Sequence, residues 1–180
     1  MNLKTNLKHK ADDLIAKASV LSDINIVWEN CISIKCKDLT NIKTLEKRNV
    51  LDVFYENRNR PAIYYFEIKS NLTAKTIVDA LQVYKDKKLR SCPKIDKNRE
   101  LCSRYLYCGS CKEGLRSRFI QHLGFGSQNT FALQLLHWTK KLNIELEFHY
   151  AWLDDNQKQF TELVESALAD KIKPLVGKIA

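Results

Sequence analysis

Proline and glycine are scarce in this chain of 180 residues, with three and five respectively, which excludes a collagen-like, low-complexity or disordered architecture. No apolar run approaches the length of a membrane span, so no membrane partner is expected. The opening stretch MNLKTNLKHK is polar where a secretory signal would be apolar. Both absences point to a cytoplasmic protein, and they bear on the cysteines as well. Without a secretory signal, Cys31, Cys36, Cys92, Cys102, Cys108 and Cys111 read as reduced thiols rather than a disulfide framework. What is present is a hydrophobic fraction of 44%, enough for one domain with an appendage. There is also a net charge of +9, which favours a polyanionic partner through counterion release but carries no sequence preference.

Hydrophobic periodicity divides the chain. Leu7, Ala11, Leu14, Ile15, Ala18 and Leu21 recur at helical spacing within residues 4–21. Asn25 to Cys36 reads as extended, with Ile32 and Ile34 on one face, and Thr40 to Arg48 as a short helix. The run NRNRP ending at Pro61 is a turn, and it separates an N-terminal extension, residues 1–57, from a core domain, residues 58–180. In the core, Ala62 to Ile68 is a strand and Thr73 to Lys88 a helix with Ile77, Leu81 and Tyr84 on one stripe. A basic insertion, residues 70–104, includes Lys87, Lys88 and Lys94. It reads either as a solvated helix and loop or as an arm that contacts nucleic acid. Further on, Phe131 to Leu142 is expected to be helical, Ile144 to Trp152 alternates as a half-buried strand, and Asn156 to Ile172 forms a last helix ended by Pro174. This order predicts an α+β fold, a small antiparallel sheet flanked by helices.

The stretch YLYCGSCKEGLRSRFIQH, Tyr105 to His122, carries the chemistry. It runs from a β-prone segment through a glycine turn expected at Gly109 into a helix with Arg116, Arg118 and His122. Arg118 and His122 are four apart and share a face, and an arginine fork beside an imidazole suits a phosphate. Arg116 competes with Arg118 for that role. Cys108 and Cys111 have the spacing of half a zinc site, with Cys92 and Cys102 upstream, but the irregular spacings favour plain thiols.

These residues resemble the GIY-YIG nuclease family. Tyr107, Cys108 and Gly109 match the second half-motif, followed by Leu115, Arg118 and His122, while Ala62, Ile63 and Tyr64 match the first. The late glutamate of the family, followed by Pro, is met by Glu165 and Pro174, and Gly177 stands where the family has Asn. The resemblance spans about residues 58–180 and rests on the order and spacing of several weak pieces. It implies a metal-dependent endonuclease acting on DNA. Tyr64 would lie near the attacking water as a base, Tyr107 would orient it or the phosphate, Arg118 would contact the scissile phosphate, and His122 would bond a tyrosine hydroxyl or the phosphate, or relay a proton. Glu165 would hold Mg²⁺ or Mn²⁺, since such a cation needs only one or two carboxylates beside substrate oxygens and water. Lys87, Lys88, Lys94, Arg116 and Arg118 would contact DNA. Glu162 competes with Glu165, and Tyr65 and Tyr105 are alternative tyrosines. Asn143 or Asn156 are alternative sources of the missing amide. Two other classes stay open: a catalytically inactive nucleic-acid-binding module on the same scaffold, and a protein-interaction adaptor. Whether two copies cooperate to cut both strands is likewise open.

Overall fold

A computed structural model describes residues 3–28, 31–47, 49–96 and 99–177. Arg48, the end of the expected short helix, lies outside them, as do Lys97 and Asn98 of the basic segment. The fold is α+β. A four-stranded antiparallel sheet has the order β1 (Ile32–Lys35), β4 (Glu145–Trp152), β2 (Ala62–Ile68) and β3 (Tyr105–Cys111). Among the described residues six α-helices accompany it: α1 (Leu3–Ser22), α2 (Ile42–Lys47), α3 (Ala74–Asp86), α4 (Leu115–Leu123), α5 (Leu135–Trp138) and α6 (Thr161–Ile172). No helix among the described residues is long and apolar enough to cross a membrane.

The central pair β2 and β4 is built from β-branched and aromatic residues, which suit a pleated surface buried on both sides. Side chains alternate between faces along each strand. One face presents Tyr64, Phe66, Leu146, Phe148 and Tyr150 to the main core, joined by Ile77 and Leu81 of α3 and by Leu115 and Phe119 of α4. Helix α3 starts where Thr73 accepts a hydrogen bond from the Thr76 N–H at 3.2 Å, a side-chain cap for an otherwise unpaired donor. On the other face Ile63, Ala151 and Leu153 pack with Val164 of α6 and with Ile24, Ile26 and Trp28 of the N-terminal segment.

Three features were not given by the local pattern. Strand β1 pairs with β4, and Cys36, Leu51 and Phe54 are wholly or almost wholly buried, so this part of the N-terminal extension packs into the main core. The α1 helix forms, but its apolar stripe is exposed along most of its length, with Leu7, Leu14 and Ile15 at 58%, 66% and 68% exposure. The helix expected over Phe131 to Leu142 is only the single turn of α5. Its would-be first turn is unwound because Gln134 adopts φ 56° and the backbone of Phe131 and Leu133 is bonded to side chains of α4.

Candidate functional site

Tyr64 stands at the centre of β2, directly opposite Gly109 of β3. Gly109 therefore lies inside a strand and not at a turn. The chain turns at Gly114, with φ 71°, immediately before α4. Glycine is needed at 109 for a different reason: a Cβ there would stand 2.6 Å from the Tyr64 hydroxyl oxygen. Removing the side chain from β3 makes room for a phenol on the neighbouring strand.

Helix α4 delivers Arg118 and His122 to that phenol from one face, as their spacing of one turn requires. Arg118 Nε–H donates to the Tyr64 oxygen at 3.0 Å, and His122 Nε2 lies 3.0 Å from the same oxygen. The backbone N–H of Leu133 donates to His122 Nδ1 at 3.1 Å. A backbone amide can only donate, so Nδ1 carries a lone pair and the proton of the neutral ring sits on Nε2, pointing at Tyr64. The phenol oxygen thus accepts from two N–H groups, an arrangement that favours negative charge on oxygen. Burial acts against it: Tyr64 and His122 are 0% exposed. Burial first, then Tyr107, raises the Tyr64 phenol well above its ordinary range, with the Arg118 charge opposing. His122 is held well below the usual imidazole range, by burial and then by Arg118.

The rest of the group closes over this core. Tyr107 stacks near Tyr64, with ring centroids 6.3 Å apart, and lies 4.8 Å from the His122 ring. Burial raises the pKa of its phenol, opposed by the Arg118 guanidinium and reinforced by Glu165. Glu165 comes from α6, half-buried against β3, and accepts a hydrogen bond from the Ser110 hydroxyl at 2.5 Å. Tyr64, Tyr107, Arg118 and His122 are therefore brought together from two strands and one helix, and Glu165 of α6 lies at their edge, close enough for its charge to act on Tyr107. Gly177 seals the floor: its φ is 108°, and a Cβ there would meet the Tyr107 ring at 2.9 Å.

Several alternatives separate from the group. Glu162 is exposed and pairs with Lys112 at 3.7 Å, one turn away from Glu165. Tyr65 points to the opposite sheet face. Tyr105 joins it there, with ring centroids 5.4 Å apart, because a bulge between Phe66 and Glu67 shifts the β2–β3 register. Arg116 leaves the site, lying over the Tyr55 ring at 5.5 Å and 3.4 Å from Glu46. Cys108 and Cys111 pair with Tyr65 and Ala62, on opposite faces of the sheet, and cannot share a metal ion. Burial pushes both thiols up, to about 12 and about 11, with Glu165 adding to the shift, so they stay protonated.

Two participants escape sequence reasoning. Ser110 holds Glu165, and its only signal is its place next to Gly109 in the half-motif. Residues 131–133 supply backbone groups to the site: the Phe131 carbonyl accepts from Arg118 Nη2 at 2.9 Å and Leu133 donates to His122. No local pattern announces them, and helical periodicity points the other way.

The basic segment reaches the site as well. Lys85, Lys88, Arg90, Lys94, Asn129 and Phe131 line an open cleft. The Lys94 carbonyl accepts from the Gly177 N–H at 2.8 Å and the Phe131 carbonyl from Arg118 at 2.9 Å, so two residues of the cleft lining are tied through their backbone to residues of the tyrosine group. Lys87 is exposed beside it. Compared with family models, with curated proteins and with solved structures, the chain matches none.

The buried neutral His122 carries a pH signature. Its folded pKa lies well below 6.5 while the unfolded chain titrates near that value, so in between the unfolded state binds the extra proton. Stability is therefore full above about pH 6.5 and falls as the medium is acidified below it. His137, whose pKa is also lowered by burial, adds a smaller part. In thermal melts from pH 7.5 to 5, the parent Tm should drop steadily. The variant His122→Gln should start lower at pH 7.5 but show a clearly shallower slope, and an equal slope would remove His122 as the source.

Proposed function

We propose that the protein is a metal-dependent endonuclease of GIY-YIG type that hydrolyses DNA phosphodiester bonds. The observation that carries this reading is the convergence of Tyr64, Tyr107, Arg118 and His122 on one place, with Glu165 near enough for its charge to act on Tyr107, each from the segment the motif pieces assign to it. Hydrolysis of a phosphodiester needs an activated water, charge on the phosphoryl oxygens and a group near the leaving oxygen. The residues present fit a hard cation: Glu165, half-buried with its Ser110 partner, offers oxygen donors, and Mg²⁺ or Mn²⁺ takes a single carboxylate with water and substrate oxygens. When bound, the ion would supply positive charge to the phosphate and favour ionised oxygens nearby. Arg118 holds Tyr64 in place and brings fixed positive charge within reach of Tyr107. His122, locked as the Nε2–H tautomer, orients the Tyr64 oxygen and supports the negative charge that oxygen would carry before it takes the proton of the attacking water.

One observation favours the second reading, a catalytically inactive nucleic-acid-binding module. All three Arg118 nitrogens have partners inside the protein, Tyr64, Gln121 and the Phe131 carbonyl, so the fork serves the fold before it serves a phosphate. Incubation of supercoiled plasmid and of branched DNA forms with Mg²⁺ decides between them. Nicking or linearisation supports the nuclease, and salt-dependent binding without cleavage supports the module.

On either reading the cleft is the DNA path, and Lys88 and Lys94 line it while Lys87 lies beside it. Lys88→Glu and Lys94→Glu should each weaken DNA binding and lower the slope of log affinity against log salt by about one unit, with Lys87→Glu doing less. Fluorescence anisotropy at several salt concentrations checks this. An unchanged slope in the Lys88 and Lys94 variants would make the segment a solvated loop.

A further inference from the structure

The face of the sheet opposite Tyr64 holds a second group of chemistry-bearing residues with no part in the reading above. Glu67 of β2 and Glu147 of β4 stand directly opposite one another in the register, and Tyr65 stands opposite His149. Like charges at directly paired positions repel. Here Lys69 lies 3.3 Å from Glu147 and 3.8 Å from Glu67, and Arg104 Nε lies 2.7 Å from Glu67 Oε1, so one side of the carboxylate pair has cations. The other side faces His149. Its Nε2 lies 3.2 Å from Glu67 Oε2 and 3.3 Å from Glu147 Oε2. Cys31, immediately before β1, completes the row. One ligand atom each from Cys31, Glu147 and His149 lies within 4.8 Å of the others, the only such group among the described residues.

We propose that Cys31, Glu147 and His149 bind a divalent transition-metal ion, with Glu67 close enough to complete the set, and that the donor chemistry selects zinc. Three features of the geometry support it. First, His149 Nε2 is shut off from solvent and makes no hydrogen bond despite two carboxylate oxygens within 3.3 Å. Both oxygens are within reach, yet neither is aligned to form a hydrogen bond with the ring nitrogen. Second, two ligands about 2.0–2.2 Å from a tetrahedral centre stand roughly 3.3–3.6 Å apart, and this nitrogen lies 3.3 Å from the Glu147 oxygen and 3.2 Å from that of Glu67. Third, the ring is fixed: Tyr65 stacks on it with centroids 4.6 Å apart and planes 13° from parallel, and Trp28 packs edge-on against Tyr65 at 4.8 Å. Cys31 is exposed, so its thiol turns inward without disturbing the core.

A thiol, an imidazole and a carboxylate together suit zinc and not the hard cations, which take oxygen ligands. Binding releases the Cys31 thiol proton to solvent, so affinity rises with pH. The ion would tie the segment before β1 to the central strand β4, across a strand pair only four residues long.

The test uses the full chain, stripped with a chelator and titrated with Co²⁺ as an optical probe and with Zn²⁺ against a chromophoric competitor. One ion per chain is expected, with a thiolate-to-cobalt band in the near ultraviolet. Cys31→Ser, which alters one exposed atom, should abolish the band and weaken Zn²⁺ binding by about a hundredfold or more, since even residues behind the ligands change metal affinity 10–100-fold. His149→Ala should do the same, and Cys102→Ser, an exposed thiol elsewhere, should change nothing. The proposal is overturned if no stoichiometric binding occurs, if Cys31→Ser binds as the parent does, or if the band is lost with Cys102 instead. None of these readouts depends on DNA cleavage.

Discussion

Glu165→Gln is expected to abolish Mg²⁺-dependent DNA cleavage while the protein stays folded and DNA affinity persists or rises. The amide keeps an oxygen to accept from Ser110, so the 2.5 Å contact between α6 and β3 survives in kind, and only the charge is removed. Glu165→Ala should give the same loss of cleavage with a lower Tm, because truncation leaves the Ser110 hydroxyl without its partner at a cost of about 1–3 kcal/mol. Glu165→Asp should also fail, since withdrawing the carboxylate by one methylene moves it by over about an ångström, and such a displacement can cost on the order of a hundredfold in rate. Glu162→Gln should cut at the parent rate, because that side chain is exposed and paired with Lys112 away from the tyrosines. The measurement is plasmid nicking in Mg²⁺ beside anisotropy binding for all four variants. Parent-level cleavage by Glu165→Gln would sink the metal-holding role, and loss of binding in step with cleavage would mean the residue acts on the fold or on DNA contact instead.

Gly177→Asn is expected to damage the site rather than repair it. Asparagine stands at this place in the family the sequence resembles, and on sequence alone its return looks restorative. The backbone here has φ 108°, and a Cβ would sit 2.9 Å from the Tyr107 ring. Forcing a side chain into that conformation costs about 1–3 kcal/mol, and the collision costs about 1–3 kcal/mol more unless Tyr107 moves. Moving Tyr107 disturbs the stack on Tyr64 and the contact with His122. Thermal melting should show a drop of several degrees, and cleavage should fall with it. Gly177→Ala should show most of the same loss, since the β-carbon is what collides. A stable Gly177→Asn with raised cleavage would mean that the chain's last turn rearranges to accept the amide, and that the missing residue, not the packing, limits activity.

Much of the scaffold was legible from local pattern. The aromatic and β-branched run of Ala62 to Ile68, the alternation in Ile144 to Trp152 and the helical stripe of Ile77, Leu81 and Tyr84 each specify an element that the structure forms, and in the last two the burial follows the pattern almost residue for residue. The spacing of Arg118 and His122 determined that both would face the same way, because four residues make about one helical turn. The sequence by itself thus determined the α+β class and which side chains share a face. It did not determine how the faces meet. A bulge after Phe66 sent Tyr105 to the far side of the sheet while Tyr107 stayed with Tyr64. Residues 131–133 gave up a helical turn because Arg118 and His122 hold their backbone. Gly109 and Gly177 are glycine because aromatic rings from distant segments occupy the space their side chains would need. The row of Cys31, His149 and Tyr65 exists only once β1, β4 and β2 are in register. Periodicity records the interactions of a residue with neighbours a few positions away, whereas register, bulges and side-chain bonds to remote backbone arise from segments tens of residues apart, and only the folded sheet brings those together.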